Sequence, residues 1–366
     1  MKTSEYVSLS KRIFFKKGAM PLHLTFLVTQ KCNAACIHCY LWNKLNKSRR
    51  EITPDEVEKI SSSLDNLPYL IISGGEPYLR DDLPRLAEPF YRNSRSRHIT
   101  ITTNGMETEK IITSTEEILK LCPDASILVY ISIDGVGEEH DRIRGVKGIF
   151  NKAVNTFKIL KSLKEKGRIN AGALITAMSS NQEKLSEIYN YIKGKIKPDL
   201  IYINLIRGEP RNPELKEIDT KYYFEVCRLA EKDLAGGYLA GYGSFPFSSV
   251  PVGINIMTHN MVEKTLKSGK FQIPCYAGIL SAVLGSSGEV WACEILDRMI
   301  GNLRESNYDF RKIWFSPQAE ELRNYIKKTK CYCTHECFLN TNILFNPRFL
   351  PEIAARAIAH SIFKKR

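Results

Sequence analysis

Between Leu24 and Leu205 the chain alternates two hydrophobic rhythms. Short runs rich in β-branched residues predict strands at Leu24–Thr29, Tyr69–Ser73, His98–Thr103, Ile127–Ile133, Ala171–Ala177 and Leu200–Leu205. Between them lie helical runs. Thr53-Pro54-Asp55-Glu56 predicts a helix start, with Thr53 as cap, Pro54 in the first turn and Glu56 at the capping-box position. Asp81–Tyr91, Thr113–Leu121, Asn151–Lys166, Lys184–Ile196 and Lys221–Leu234 complete the alternation. Six β-α units in sequence predict a parallel sheet over residues 22–237, because parallel neighbours need crossover connections. Periodicity does not choose between a partial barrel and an open doubly wound sheet.

The rhythm changes after that. Residues 238–274 read as a linker, opened by Gly, Ser and aromatic residues at Ala235–Phe247. Ser281–Leu284 and Glu289–Ala292 flank the turn Gly285-Ser-Ser-Gly288 and predict a hairpin within a small domain over 275–345. Leu350–Phe363 predicts a helix within a basic tail, 346–366. Residues 1–21 form a basic extension.

Composition narrows the class. The chain is 43% hydrophobic and 25% charged, as globular proteins are. No apolar run nears the roughly 18 residues a membrane helix needs, and Leu22–Val28 is too short for a secretory signal. A cytoplasmic protein is expected. The net charge of +13 favours acidic partners in general. Part of it sits in Lys11, Arg12, Lys16, Lys17, Lys364, Lys365 and Arg366, which read as solvated tails. No basic–aromatic interleaving predicts stable nucleic-acid binding.

The ten cysteines change the picture more. In a cytoplasmic chain they argue for metal or redox chemistry over disulfides. Cys122 and Cys227 stand alone and read as buried fillers. Cys32-Asn-Ala-Ala-Cys36-Ile-His-Cys39 follows the first strand. Three thiolates within eight residues suit one face of an iron–sulfur cubane. Zinc is the alternative, although a structural zinc site wants a fourth ligand and His38 lies too close to Cys39 to supply it easily. Four of the other five predicted strands also end in unusual residues: Gly74-Gly75-Glu76-Pro77, Asn104-Gly105, Asp134-Gly135 and Arg207-Gly208-Glu209. In parallel β/α folds chemistry sits at such carboxyl ends.

The cysteine spacing and its place resemble the signature of the radical S-adenosylmethionine (SAM) superfamily. The resemblance implies a partial (β/α)6 TIM-like barrel. It implies a 4Fe-4S cluster on Cys32, Cys36 and Cys39, whose open iron chelates the amine and carboxylate of SAM. Gly74, Gly75, Glu76 and Pro77 are similar to the family's motif for the SAM amino group. Ser132 and Asp134 match residues that bind its ribose. Arg144, in Asp141–Gly145, matches an arginine near its carboxylate.

A second cysteine set lies at Cys275, Cys293, Cys331, Cys333 and Cys337. Five thiols suffice for one fully ligated 4Fe-4S cluster, and a four-cysteine zinc site fits the spacing too. The stretch resembles the SPASM/twitch extension of radical SAM enzymes. It implies one auxiliary 4Fe-4S cluster, with Cys275, Cys293 and Cys337 the firmest ligands. Glu294 stands where sulfatase-maturating relatives carry the base that removes a substrate proton. The resemblance implies reductive cleavage of SAM to a 5′-deoxyadenosyl radical, with electrons from a reductant such as flavodoxin or ferredoxin. Hydrogen abstraction from a peptide or small molecule, with net oxidation, is the first expectation. Epimerisation by a spare thiol, nucleic-acid modification and a non-catalytic iron–sulfur protein are the alternatives.

Overall fold

The computed structural model of the chain describes residues 3–16, 18–166, 168–238 and 249–363. Lys17, most of the Gly/Ser/aromatic stretch before residue 249, and Lys364, Lys365 and Arg366 lie outside the described residues.

A helix, α1 (Thr3–Phe14), precedes β1 (His23–Thr29), α2 (Pro54–Ser62), β2 (Tyr69–Gly74), α3 (Leu83–Asn93), β3 (His98–Thr103), α4 (Thr108–Leu121) and β4 (Ser126–Ser132). There follow α5 (Glu138–Arg144), α6 (Ile149–Ser162), β5 (Ile169–Ala177), α7 (Leu185–Tyr191), β6 (Leu200–Leu205), α8 (Thr220–Ala235) and α9 (Ser249–Ser268). The C-terminal region contains β7 (Ser281–Leu284), β8 (Glu289–Trp291), β9 (Met299–Asn302), α10 (Phe310–Trp314), α11 (Pro317–Lys328), α12 (Glu336–Leu344) and α13 (Leu350–Phe363).

The strands form one open sheet in the order β6-β5-β4-β3-β2-β1-β7-β8-β9. β1 to β6 are parallel throughout, the partial barrel of an α/β protein. Strand chemistry explains the packing. In β3, Ile99 and Ile101 are fully buried, whereas His98, Thr100 and Thr102 are half-buried on the other face. There Thr102 Oγ1 donates to Ser73 Oγ at 2.9 Å. All six residues of β6 are buried, as expected of a strand covered on both faces.

The α2 start is built as its sequence predicts. The Glu56 N–H donates to Thr53 Oγ1 at 3.3 Å and the Thr53 N–H to Glu56 Oε2 at 2.9 Å. Losing such a cap costs about 1 kcal/mol. Other expectations moved. Residues 192–196 continue α7 as one π-helical turn. The stretch read as linker carries the 20-residue α9, which packs on α8, α12 and α13. The predicted hairpin forms, with Val283 opposite Trp291. It is not a separate sheet, however: β7 pairs in parallel with β1, from His23↔Ser281 to Phe26↔Leu284.

Candidate functional site

Every carboxyl end from β1 to β4 contributes to one rim, and β1 ends in the first cysteine loop. Its backbone is tied down on three sides. The Cys32 N–H donates to Asn46 Oδ1 at 2.8 Å, and Asn46 Nδ2 returns a bond to the Cys32 carbonyl at 3.0 Å. The Ala35 and Ile37 N–H groups donate to the carbonyls of Arg144 (3.0 Å) and Ile143 (3.1 Å) at the end of α5. The Asn212 N–H donates to the Ile37 carbonyl at 3.0 Å. All three thiols are half-buried. Burial, with some repulsion from Cys36 and Cys39, pushes the Cys32 thiol up to about 12.

Gly74 and Gly75 let the second loop press on the first. A Cβ on Gly75 would lie 2.1 Å from the Lys31 carbonyl oxygen, and one on Gly74, at φ +130°, 2.5 Å from that of Thr29. The Glu76 N–H then reaches the Lys31 carbonyl at 2.8 Å. The Glu76 carboxylate is buried at 1% exposure. It accepts from Asn104 N (2.7 Å), Thr103 Oγ1 (2.8 Å) and Tyr78 N (3.2 Å). A carboxylate accepts about four bonds, so acceptor capacity remains. Burial outweighs these donors and pushes its pKa up to about 7. Pro77 opens a short 3₁₀ turn.

Ser132 ends β4 and is buried. Asp134, two residues on, is fully buried and already engaged. Its Oδ1 accepts from Thr176 N at 2.8 Å, while Oδ2 lies 2.5 Å from Arg144 Nη2 and 3.7 Å from His38 Nε2. Burial alone would push the Asp134 carboxyl up, but Arg144, with His38 and His140, holds it below the usual range. Arg144 Nη1 points to Cys36 Sγ at 3.6 Å.

The second cysteine set is assembled from separate segments. Cys275 precedes β7, Cys293 follows β8, Cys331 and Cys333 lie between α11 and α12, and Cys337 is the second residue of α12. Burial raises the pKa of all five thiols. Cys275, Cys293 and Cys333 are raised further by one another or by Cys331, so these four thiols lie near enough to repel one another. Cys337 is set chiefly against Arg207, Glu294 and Glu336. Buried soft donors that repel one another once ionised suit a cationic cluster, which favours their thiolate forms. The donor sets therefore fit the iron–sulfur groups expected of them.

Glu294 lies between the two sets. Its Oε2 accepts from Tyr40 Oη at 3.1 Å and Arg207 Nη2 at 3.2 Å, and lies 3.4 Å from His335 Nε2. Tyr40 follows Cys39, and the Arg207 guanidinium stacks 5.6 Å from the Tyr40 ring. A cleft beside them is lined by Tyr40, Lys44, Trp291, Glu294 and Asp297. Sequence reasoning missed Tyr40 and His335. Their one local signal was nearness to cysteines: Tyr40 follows Cys39, and His335 lies two residues from both Cys333 and Cys337.

A partial barrel with three cysteines after β1 and a second cysteine set gathered around the β7–β8 hairpin and the start of α12 defines an iron–sulfur enzyme class. The radical SAM superfamily model matches residues 26–192 and an iron-sulfur cluster-binding (SPASM) domain matches residues 275–338. The chain belongs to the radical SAM superfamily and is an enzyme of that class. Its cofactors are a 4Fe-4S cluster, SAM and auxiliary iron–sulfur chemistry, so the non-catalytic and zinc alternatives fall away. Among curated relatives it is 30% identical over 326 residues to mycofactocin maturase MftC of Mycolicibacterium smegmatis, covering 84% of this chain and 74% of that one. It is 29% identical over 194 residues to Fe-coproporphyrin III synthase of Methanosarcina barkeri, covering 52% of this chain and spanning only 46% of that relative. Streptococcus suis SuiB bound to SAM has the same fold, with a TM-score of 0.58 at 16% identity over 88% of this chain and 71% of that one. SuiB has also been solved bound to its precursor peptide SuiA. No helix among the described residues is long and apolar enough to cross a membrane.

Proposed function

We propose that the chain oxidises a peptide or small-molecule substrate at an unreactive C–H bond, with Glu294 as the base that takes the substrate's proton. The observation that carries this reading is the lodging of Glu294 between Tyr40, beside the first cysteine loop, and the second cysteine set. When bound, SAM and its cluster would supply the radical chemistry that abstracts hydrogen, and an auxiliary cluster would take up the remaining electron. The protein's part is placement. Cys32, Cys36 and Cys39 hold the first cluster. Gly74, Gly75, Glu76 and Pro77 seat the SAM amino group, Ser132 faces its ribose, and Asp134 holds Arg144. Four of Cys275, Cys293, Cys331, Cys333 and Cys337 supply one auxiliary cluster. Tyr40 and Arg207 fix one carboxylate oxygen of Glu294, a residue that lines the cleft. A base so placed contributes about 10² to 10⁴ in rate.

SuiB's peptide complex supports a peptide, whereas the name of the Methanosarcina relative points to tetrapyrrole chemistry. A flavodoxin or ferredoxin would deliver the electron. One observation favours a second reading, epimerisation. Cys337 is set against Glu294 and Arg207, where a thiol would return hydrogen to a substrate radical. Turnover in deuterated water tests the choice. Oxidation leaves the substrate carbon unlabelled, and product deuterium at that carbon would replace oxidation with epimerisation.

A further inference from the structure

The end of α5 touches the first cysteine loop more closely than a SAM-carboxylate contact requires. Backbone bonds from Ala35 to Arg144 and from Ile37 to Ile143 bracket Cys36 and satisfy carbonyls that the helix end leaves open. Gly145, at φ +68°, allows the approach: a Cβ there would lie 2.8 Å from the Ala35 carbonyl oxygen. The Arg144 side chain is 9% exposed and bridges two groups. Nη1 lies 3.6 Å from Cys36 Sγ, and Nη2 lies 2.5 Å from Asp134 Oδ2. Asp134 Oδ2 forms no aligned hydrogen bond, so that contact is an ion pair. Asp134 is itself fixed by the Thr176 N–H.

We propose that Arg144 is a positioning residue for the first cluster: its guanidinium donates to the Cys36 thiolate and raises the cluster's reduction potential, and Asp134 aims it. The proposal rests on the reading that Cys36 is a ligand. One-electron reduction adds negative charge to the cluster. A permanent positive charge that donates to a ligating sulfur in a poorly solvated site stabilises that added charge, and hydrogen bonds to sulfur are a recognised control on such potentials. Arginine stays charged at all accessible pH, so the effect has no titration of its own. The electron comes from the external reductant, and no proton is exchanged.

The test is a redox titration of anaerobically reconstituted full-length protein, followed by electron paramagnetic resonance without SAM. The relevant signal is the one that SAM addition perturbs. In Arg144→Met the midpoint should move to a more negative potential with iron content unchanged. Arg144→Gln, which keeps a donor but not the charge, should move it the same way by less. An unchanged or more positive midpoint in either iron-replete variant overturns the proposal. So does loss of the first cluster's iron from both, because tuning does not require retention. A Met variant that loses only SAM affinity would mark Arg144 as a SAM contact alone, which also overturns it. Retention of that cluster's iron by Cys36→Ala would instead overturn the ligand reading beneath it.

Discussion

The two cysteine sets solve one problem by opposite routes. The first is local: three thiols in one eight-residue loop, held by backbone bonds to Asn46, to the end of α5 and to Asn212. The second is tertiary, because its five thiols arrive from both sides of a hairpin, from an inter-helix loop and from a helix start. A local set brings its three thiols together within one loop, and three ligands leave one iron of a cubane free, which suits a cluster that must admit SAM. A tertiary set exists only when the domain is packed, which suits an enclosed electron acceptor. The difference teaches where each set is vulnerable.

The strongest way to break the comparison is to remove one set at a time. Changing Cys32, Cys36 and Cys39 together to alanine should abolish SAM cleavage and lower iron from about eight to about four per chain. Changing Cys275 and Cys293 should also remove about four irons, yet leave substrate-free SAM cleavage in place and lower the unfolding temperature more, because metal binding there is coupled to folding. Equal thermal losses would erase the distinction. Next in size is Glu294→Gln. Both clusters and uncoupled SAM cleavage should persist, while product forms about 10² to 10⁴ times more slowly. A normal product rate would remove Glu294 from the chemistry.

Glu76 sharpens the local side. Its pKa is raised to about 7, chiefly by burial. Contact with the SAM amino group, as proposed above, would favour the ionised carboxylate and so lower the bound pKa. Between the two values the free enzyme carries the extra proton, and affinity must rise with pH. SAM binding, measured by equilibrium dialysis, should weaken by up to about tenfold per pH unit below 7. Glu76→Gln should flatten that dependence, and an unaltered pH profile in the variant would move the amino group elsewhere.

The smallest effect falls on the seam between the regions. His23, in β1, is fully buried, with its ring 5.8 Å from Phe338 and its Nδ1 3.3 Å from Thr341 Oγ1. Burial lowers its pKa from 6.5 to about 4. The unfolded chain therefore binds a proton there first. The stability is present above pH 6.5 and is lost as pH falls toward 4, by about 3 kcal/mol in all. Denaturant midpoints for His23→Gln should fall less steeply between pH 6.5 and 4 than those of the parent.

Much of the local half was legible in the residues. The strand runs, the capping box at Thr53, and the loops at Cys32–Cys39 and Gly74–Pro77 depend on neighbours in sequence, and periodicity reads such neighbours. The lodging of Glu294 was not legible. It needs Tyr40, Arg207 and His335, which are brought together only by the closing of the fold. Helix α9 was missed because its buried Asn255, Thr258, His259 and Thr265 blur the apolar stripe. The contact of Asp134 with Arg144 was not legible either, because it joins the loop after β4 to the end of α5.

The pairing of β7 with β1 has a practical consequence for anyone wishing to take the molecule apart. Cutting the chain after α8 would not release a self-sufficient catalytic half. It would strip the partner from β1, the strand that leads into the first cysteine loop, and bare backbone from His23 to Phe26. An uncovered strand flank invites pairing with other chains. Leu24 and Phe26, fully buried at present, would stand beside it. The severed half should therefore clump rather than work, and the two regions are better regarded as one indivisible piece than as interchangeable cassettes.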